Sequence, residues 1–488
     1  MSTFDLDSMD DNFLAFCWYN LSPRDRAKVM ATSPKTLWLF GAGASHHYNL
    51  NARGVPVPLA NDFFQAFGAL PTSAGFHAHV GPFISYLGHY RGVPPQKVPQ
   101  WRENIETFMT AIDEEITQLR AKQAEQELKQ ADLQKALSLA MVFNNMSFIL
   151  ASVVNEAQNG PSESAYANLL DFCGPNDAFI TFNWDTLLDR ALTATGGWSP
   201  NEGYGLHFTS VLDGTWKARV EGAPTVSTNW KLLKLHGSTN WLVPYASVHL
   251  QTYDFVSSVR GSDHIFLYWR SDLPYATHKN RWRGGYAPTC YCYYPPNLPS
   301  SSFSPDQLSP GPGRVWLSVA YKGIFAPFDE PSAEGIPSSP LLITPVRQKK
   351  YDAYQSTMSS LWRQSADLFA SADKVTIVGY SFPLTDTRSL DLLTSALTAR
   401  RGEVALEIVA PEAQAIASHI GDEALSNAKS VAVQNVKFED YVRGLGEGIP
   451  SLVEKAAGEH EEVREWVERI YALNHATPQQ YLDESGDD

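Results

Sequence analysis

The chain has 488 residues, 43% of them hydrophobic, which is typical of a folded protein of roughly two to four domains. Its net charge is −15, with 53 acidic against 38 basic residues and no basic stripe, so we expect no direct nucleic-acid binding. We see no signal peptide, no apolar run long enough to span a membrane, and only four cysteines, so we expect a cytoplasmic protein.

The first strong pattern is an apolar run, Thr36–Phe40, that ends in the glycine turn Gly41–Ser45. This pattern predicts a buried strand that turns into a helix N-terminus, where backbone N–H groups and the helix dipole receive a phosphate. Residues 1–35 are predicted to form an N-terminal adapter. After a turn-rich piece, a helix is predicted to begin near Asn61.

Two segments interrupt the predicted α/β pattern. Residues 104–157 are rich in Glu, Gln, Ala, Lys and Leu, which predicts an inserted helical hairpin or small bundle. Residues 243–340 are dense in Pro, Ser, Gly and aromatic residues, which predicts an irregular aromatic-rich insertion.

Outside these insertions, apolar strands repeatedly end at small or polar clusters. The predicted strands end after Phe40, Phe182, Leu235, Val378 and Val409. In an open parallel sheet, ligands bind outside the carboxyl ends of the strands, so these clusters are expected to meet in one crevice. The predicted fold class is therefore α/β, a Rossmann-like parallel sheet with helices on both faces.

Taken together, four of these clusters resemble the sirtuin superfamily, and specifically its divergent bacterial branch of sirtuin-like NAD hydrolases. They are Gly41–Ser45, Thr181–Asp185, Lys234–Ser238 and Gly379–Pro383. The resemblance implies a catalytic domain over residues 36–445 that contains both insertions, followed by a C-terminal helical tail over residues 446–488. Members of this branch cleave NAD to nicotinamide and ADP-ribose, and many are antiphage effectors that deplete cellular NAD.

The resemblance also implies roles for single residues, with Asn183 beside the nicotinamide ribose and His236 as the general base. An Asn can orient a water or a ribose hydroxyl, and a His that titrates near neutrality can accept its proton. The glycine turn would hold the pyrophosphate, and Asp185 would support the loop that follows Asn183. The implied contacts with NAD are Gly41, Ala42, Gly43, Ser45, Asp62, Asp185, Gly379, Ser381 and Glu412.

Simpler interpretations of the same residues stay open at this point. Asn183 is a favoured residue type for capping the helix that follows it. His236 precedes Gly-Ser and is compatible with a turn residue bonded to the backbone, and Ser381 is compatible with turn chemistry.

The chain departs from the deacylating sirtuins in its cysteines. Those enzymes carry two Cys-x-x-Cys pairs that bind zinc, whereas here Cys17 and Cys173 are isolated and Cys290 and Cys292 have no second pair. We therefore expect no metal. The missing pairs weaken the case for protein deacylation and leave NAD, the substrate that the resemblance implies, unaffected. A homo-oligomer is expected by the resemblance, and an ATPase, an Argonaute-like partner protein or no partner remain open.

Two other functions remain as alternatives. The first is a non-catalytic sensor that binds NAD or ADP-ribose derivatives in the same pocket. The second is an NAD-dependent dehydrogenase, whose fingerprint requires a third glycine where His46 stands.

Overall fold

The structure of the chain is a computed structural model. This structure describes residues 9–21, 34–51, 53–69, 76–125, 129–158, 164–208, 230–244, 336–347 and 355–475, with single residues and short strands between them. The predictions for the aromatic and Ser/Pro-rich stretches within 284–314, and for the acidic C-terminus, lie outside the described residues.

The described strands are, in chain order, β1 (Thr36–Phe40), β2 (Ala178–Thr181), β3 (Ser210–Asp213), β4 (Thr215–Ala218), β5 (Lys231–Lys234), β6 (Gly237–Pro244), β7 (Phe266–Trp269), β8 (Ala276–His278), β9 (Arg281–Arg283), β10 (Val315–Leu317), β11 (Ile336–Leu342), β12 (Lys374–Val378), β13 (Ala405–Val409) and β14 (Ser430–Gln434). The described helices are Asp11–Asn20, Ala42–Ser45, Phe63–Ala69, Phe76–Tyr90, Ile105–Ala124, Gln130–Ala157, Ser164–Leu170, Leu187–Ala194, Pro200–Gly203, Gln355–Ser371, Thr387–Ala399, Ala413–Ile420, Asp422–Leu425, Phe438–Glu447, Ile449–Glu459 and Glu461–His475, with a 3₁₀ helix at Pro95–Gln100.

The main sheet has six strands in the order β14-β13-β12-β1-β2-β5, and every pair within it is parallel. All five apolar strands predicted from the sequence belong to this sheet. Helices connect its successive strands, for example Thr387–Ala399 between β12 and β13 and Ala413–Ile420 between β13 and β14. The predicted Rossmann-like α/β class is confirmed.

The centre of this sheet is buried on both faces, as is usual for parallel sheets. Each of the five residues of β1 is buried, and so are all four residues of β2. Since the strands run parallel, their carboxyl ends lie along one edge. The segments that follow β1, β2, β5, β12 and β13 are therefore neighbours in space.

A second six-stranded sheet has the order β10-β11-β6-β7-β3-β4 and was not predicted. It mixes antiparallel pairs, such as β6 with β11, and parallel pairs, such as β3 with β7. β6 begins at Gly237, directly after the two-residue turn that follows β5, so the second sheet is joined directly to the first. Its strands include parts of the insertion at residues 243–340.

The helical insertion takes the predicted form of two helices, Ile105–Ala124 and Gln130–Ala157. The second is long and apolar enough to cross a membrane by length and composition alone, contrary to the expectation from the sequence. Yet 75% of its most apolar 18-residue window is buried inside the protein, which is typical of the core helix of a soluble protein.

The N-terminal and C-terminal helices pack together. Helix Asp11–Asn20 contacts Ile449–Glu459 and Glu461–His475, and the rings of Phe13 and Tyr471 lie 5.6 Å apart in an edge-to-face arrangement. The segments predicted as an adapter and a tail therefore share contacts in the folded chain.

Candidate active site

A cavity of about 410 Å³ lies at the carboxyl edge of the parallel sheet. The segments after β1, β2, β5, β12 and β13 each contribute to its wall, through Gly43, Asn183, His236, Ser381 and Glu412 respectively. The helical insertion adds a further wall that the sequence did not predict, made by Asn104, Ile105, Glu106 and Val154.

The glycine turn after β1 packs against the turn after β12. The N–H of Gly43 donates to the carbonyl of Gly379 at 2.9 Å, and Gly379 has a φ of +60°. A Cβ at Gly379 would lie 2.3 Å from the backbone nitrogen of Ala44. These glycines are thus required for the close approach of the two turns.

The turn differs from the predicted phosphate site in two respects. The helix within it, Ala42–Ser45, has only four residues, so little helix dipole is available. The N–H groups of Gly41, Gly43 and Ala44 already donate to protein carbonyls. Fewer backbone donors face a ligand than the sequence motif predicts.

The close contact at Gly379 gives a stability prediction. Gly379→Ala is expected to lower the free energy of unfolding by about 2–4 kcal/mol, because it adds backbone strain and a steric overlap. Gly402 also has a positive φ, +78°, but its Cβ would meet nothing within 4 Å, so Gly402→Ala measures the strain alone. Urea denaturation should rank Gly379→Ala as the less stable variant. Equal losses would contradict the role of the contact.

The orientation of the Asn183 amide follows from its partners. Its Nδ2 donates to the carbonyl of Gly41 at 2.9 Å and to Oγ of Ser45 at 3.1 Å. A carbonyl only accepts, so the NH₂ group must face Gly41. The amide oxygen has no hydrogen bond among the described residues, and Asn183 lines the cavity. It is available to accept a hydrogen bond from a bound molecule.

Asn183 does not cap the next helix. Helix Leu187–Ala194 begins four residues later, and it is Asp185 that accepts from the N–H of Leu187, at 3.1 Å. Burial raises the pKa of Asp185, while the nearby Lys234 charge and the Leu187 N–H oppose the rise.

Below this loop lies a buried ion pair between Lys234 and Asp189, with Nζ and Oδ2 3.2 Å apart. Their side chains are 0% and 1% exposed, respectively. The ammonium also donates to the carbonyl of Asp185, and Tyr204 donates its hydroxyl to Asp189. The pair thereby ties β5 to the segment that carries Asn183 and Asp185.

His236 lies in the turn between β5 and β6, held through its backbone. Its carbonyl accepts from Nε1 of Trp184 at 3.1 Å and from the N–H of Ile343 at 2.9 Å. The imidazole packs edge-on against the ring of Phe182, 4.9 Å between centroids. His236 is therefore held by segments that follow strands of both sheets, and its side chain is 9% exposed.

Three side chains that the sequence analysis missed surround Nε2 of His236. An oxygen of Asp386 lies 2.8 Å away, Nζ of Lys349 lies 3.2 Å away, and the hydroxyl of Tyr351 lies 3.3 Å away. Burial lowers the pKa of His236, the charge of Lys349 lowers it further, and Asp386 opposes them. We call His236, Asp386, Lys349 and Tyr351 the histidine cluster.

The residues predicted to act on or contact NAD fall into three groups in the structure. Those that line the cavity are Ala42, Gly43, Asn183, Asp185, His236, Gly379, Ser381 and Glu412. Gly41 and Ser45 lie behind Asn183 and bond to its amide. Asp62 is not among the lining residues, and its carboxylate lies 4.0 Å from Nε2 of His46. The contact of Asp62 with NAD therefore stays a prediction.

The described cysteines show no metal-site geometry. Cys17 and Cys173 are free and buried, and burial raises the pKa of the Cys17 thiol to about 12. Among the described residues no three His, Cys, Asp or Glu side chains cluster as metal ligands. Cys290 and Cys292 lie outside the described part of the chain.

Comparison with known proteins gives matches to solved structures alone. No protein-family model matches the chain, and no curated protein matches it. Similar solved structures include a mutant Sir2 homologue in complex with ADP-ribose (11% identity, TM-score 0.31), a Sir2 homolog–NAD complex (12%, 0.30) and Sir2Tm bound to a propionylated peptide (13%, 0.26). These matches cover 88% of this chain and 97%, 95% and 98% of the respective structures.

Proposed function

We propose that this protein is an NAD glycohydrolase that cleaves NAD to nicotinamide and ADP-ribose. The observation that carries the proposal is that Asn183 and His236 line one cavity together with Gly43 and Gly379. Each follows a different strand, and all belong to the four clusters that resemble sirtuin-like NAD hydrolases. A protein that only binds a nucleotide has no need of an amide and an imidazole in the same cavity.

The chemistry suits these residue types. The bond between C1′ of the ribose and the nicotinamide nitrogen breaks, and its electron pair leaves with nicotinamide, which departs as a neutral molecule. A water oxygen then bonds to C1′ and releases one proton. Since the leaving group needs no strong general acid, the protein must orient the water and stabilise the developing charge.

In this proposal the free amide oxygen of Asn183 accepts a hydrogen bond from the attacking water or a ribose hydroxyl. His236 accepts the released proton, since its lowered pKa keeps the imidazole unprotonated at neutral pH. Gly379 and Ser381 contact the adenosine side, and Glu412 contacts its ribose. Asp185 supports the loop, as its bond to the Leu187 N–H allows.

We further propose that the enzyme is a gated, cytoplasmic antiphage effector that acts as a homo-oligomer, alone or with an ATPase or Argonaute-like partner. An enzyme that depletes NAD must be silent until a signal arrives. The helical insertion is a suitable place for control, because Glu106 lines the cavity and accepts from the hydroxyl of Thr385 at 3.0 Å. A change in that helix would be transmitted to the loop after β12.

The test is chromatography of NAD incubated with purified protein and with protein isolated from phage-challenged cells. We expect equimolar nicotinamide and ADP-ribose from the activated protein. NAD that is bound yet recovered unchanged in both states would favour the sensor and refute cleavage. Reduced-nicotinamide absorbance with candidate substrates would favour the dehydrogenase.

A further inference from the structure

Asp386 is the centre of a buried polar network. Its side chain is 0% exposed, and its Oδ2 lies 2.8 Å from Nε2 of His236, 3.0 Å from Nζ of Lys349 and 2.6 Å from the hydroxyl of Tyr380. Its Oδ1 accepts from Tyr351 at 3.2 Å. The carboxylate is thus held by four donors from three separate segments of the chain.

We propose that Asp386 is a positioning residue for His236 and that Lys349 keeps the imidazole of His236 unprotonated at neutral pH. The consequence for catalysis rests on the proposed NAD cleavage, whereas the arrangement itself does not. Neither residue needs to touch the substrate, because both act through the imidazole.

Asp386 holds the imidazole of His236 in one orientation. Its position is fixed by Tyr380, whose hydroxyl also bonds to Ser389 at 2.9 Å. The backbone carbonyl of Phe182 accepts a hydrogen bond from the same imidazole. Because these partners come from separate elements, rotation of the His236 ring would break contacts with several parts of the fold.

Lys349 opposes protonation of His236 because it brings a second positive charge to the same nitrogen. Its side chain is 5% exposed, so water does not screen the repulsion. Burial lowers the pKa of Lys349, but the carboxylate of Asp386 opposes this and favours the charged form. The carboxylate of Asp386 thus favours the charged form of both neighbours, and it is the ammonium of Lys349, together with burial, that opposes protonation of the imidazole.

The other charged and titratable groups near His236 are few. Burial raises the pKa of the Tyr351 hydroxyl above its usual range, so Tyr351 stays neutral. Tyr380 is likewise held neutral by burial, which raises its pKa. Glu106 acts on Lys349, and the Arg388 guanidinium lies 5.0 Å from the centre of the Tyr351 ring. The opposed charges closest to the imidazole are thus Asp386 and Lys349.

The experiment is an NMR titration of the His236 ring protons without NAD, assigned by comparison with His236→Gln. In Lys349→Met we expect the midpoint of His236 to rise by on the order of one pH unit. In Asp386→Asn we expect it to fall, because an attractive charge is lost. Lys349→Arg keeps the positive charge and should stay near the wild-type midpoint. If the protein cleaves NAD, the acid limb of its pH–rate profile should shift in the same directions.

Asp386→Asn leaves the ammonium of Lys349 unpaired and can fail to fold. The double variant Lys349→Met, Asp386→Asn removes both charges, and its midpoint should fall below that of Lys349→Met. Opposite shifts in the single variants, or that order in the double variant, support the proposal. Equal midpoints, or shifts of both variants in one direction, overturn it. The titration is read without turnover, so a protein that shows the shifts but leaves NAD intact refutes only the proposed function.

Discussion

Asn183→Ala is expected to lower the rate of NAD cleavage by about 10²–10³-fold in a protein that stays folded. The substitution removes the amide oxygen that lies free at the cavity, together with the two hydrogen bonds that orient it. His236→Ala is expected to lower the rate by about 10²–10⁴-fold, since it removes the proton acceptor. The measurement is nicotinamide release followed by chromatography, with circular dichroism to establish the fold.

The matched control is Asn20→Ala. Asn20 is the exposed last residue of helix Asp11–Asn20, and its amide donates to the carbonyl of Phe16 at 2.8 Å. It tests loss of an Asn side chain away from the cavity and should retain full turnover. Full turnover by Asn183→Ala and His236→Ala would remove both residues from the proposed site.

Asp189→Leu is expected to lower the free energy of unfolding by about 3–5 kcal/mol, because it removes the carboxylate that directly contacts the fully buried Lys234 ammonium. The carbonyl of Asp185 remains as a hydrogen-bond acceptor and the Asp185 carboxylate remains nearby, but the direct ion pair is lost. Urea denaturation of the wild type and the variant gives the difference.

The double variant Lys234→Met, Asp189→Leu distinguishes two causes of the lost stability, an ammonium without its ion-pair partner and poorer packing around residue 189. It replaces the ion pair with apolar side chains and should recover most of the stability lost by Asp189→Leu. The exposed pair Arg464–Glu468 is the control, and Glu468→Ala should change stability by less than about 1 kcal/mol. A double variant as unstable as the single one would show that packing around Asp189 matters more than charge.

The main sheet could be predicted from the sequence because its signal is local. Each central strand is a short run of mostly apolar and β-branched residues, such as Val375–Val378, and each ends at small or polar residues. Parallel strands place those ends along one edge of the sheet. The proximity of residues such as Asn183 and His236 can therefore be predicted even when the order of the strands is not known.

The second sheet could not be predicted in this way. One of its strands, Ile336–Leu342, contains two prolines and two serines, which are poor strand formers. It is assembled through pairing with β6, nearly 100 residues earlier in the chain, and local sequence carries no signal for such pairing. The pattern of Pro, Ser and aromatic residues therefore indicated an irregular segment.

The histidine cluster was missed for a related reason. Asp386 precedes a helix and Lys349 lies in a charged Arg-Gln-Lys-Lys stretch, so each is compatible with an ordinary surface residue. Only the fold brings them within 3.0 Å of each other and within 3.2 Å of His236. The glycine turn Gly41–Ser45 was predicted from its sequence to be a phosphate site. The role that the structure shows most clearly is its close packing against Gly379.

The position of β1 between β12 and β2 has a consequence for how the protein is made. At the start of the β1–β12 pair, Lys35 donates its N–H to Asp373, 338 residues later in the chain. A nascent chain still lacking β12 has one side of its central strand unpaired and has neither Gly379 nor Asp386. Because synthesis proceeds from the N-terminus, the cavity is completed only after most of the polypeptide has left the ribosome. If the chain cleaves NAD as proposed, we expect no cleavage while it is being translated.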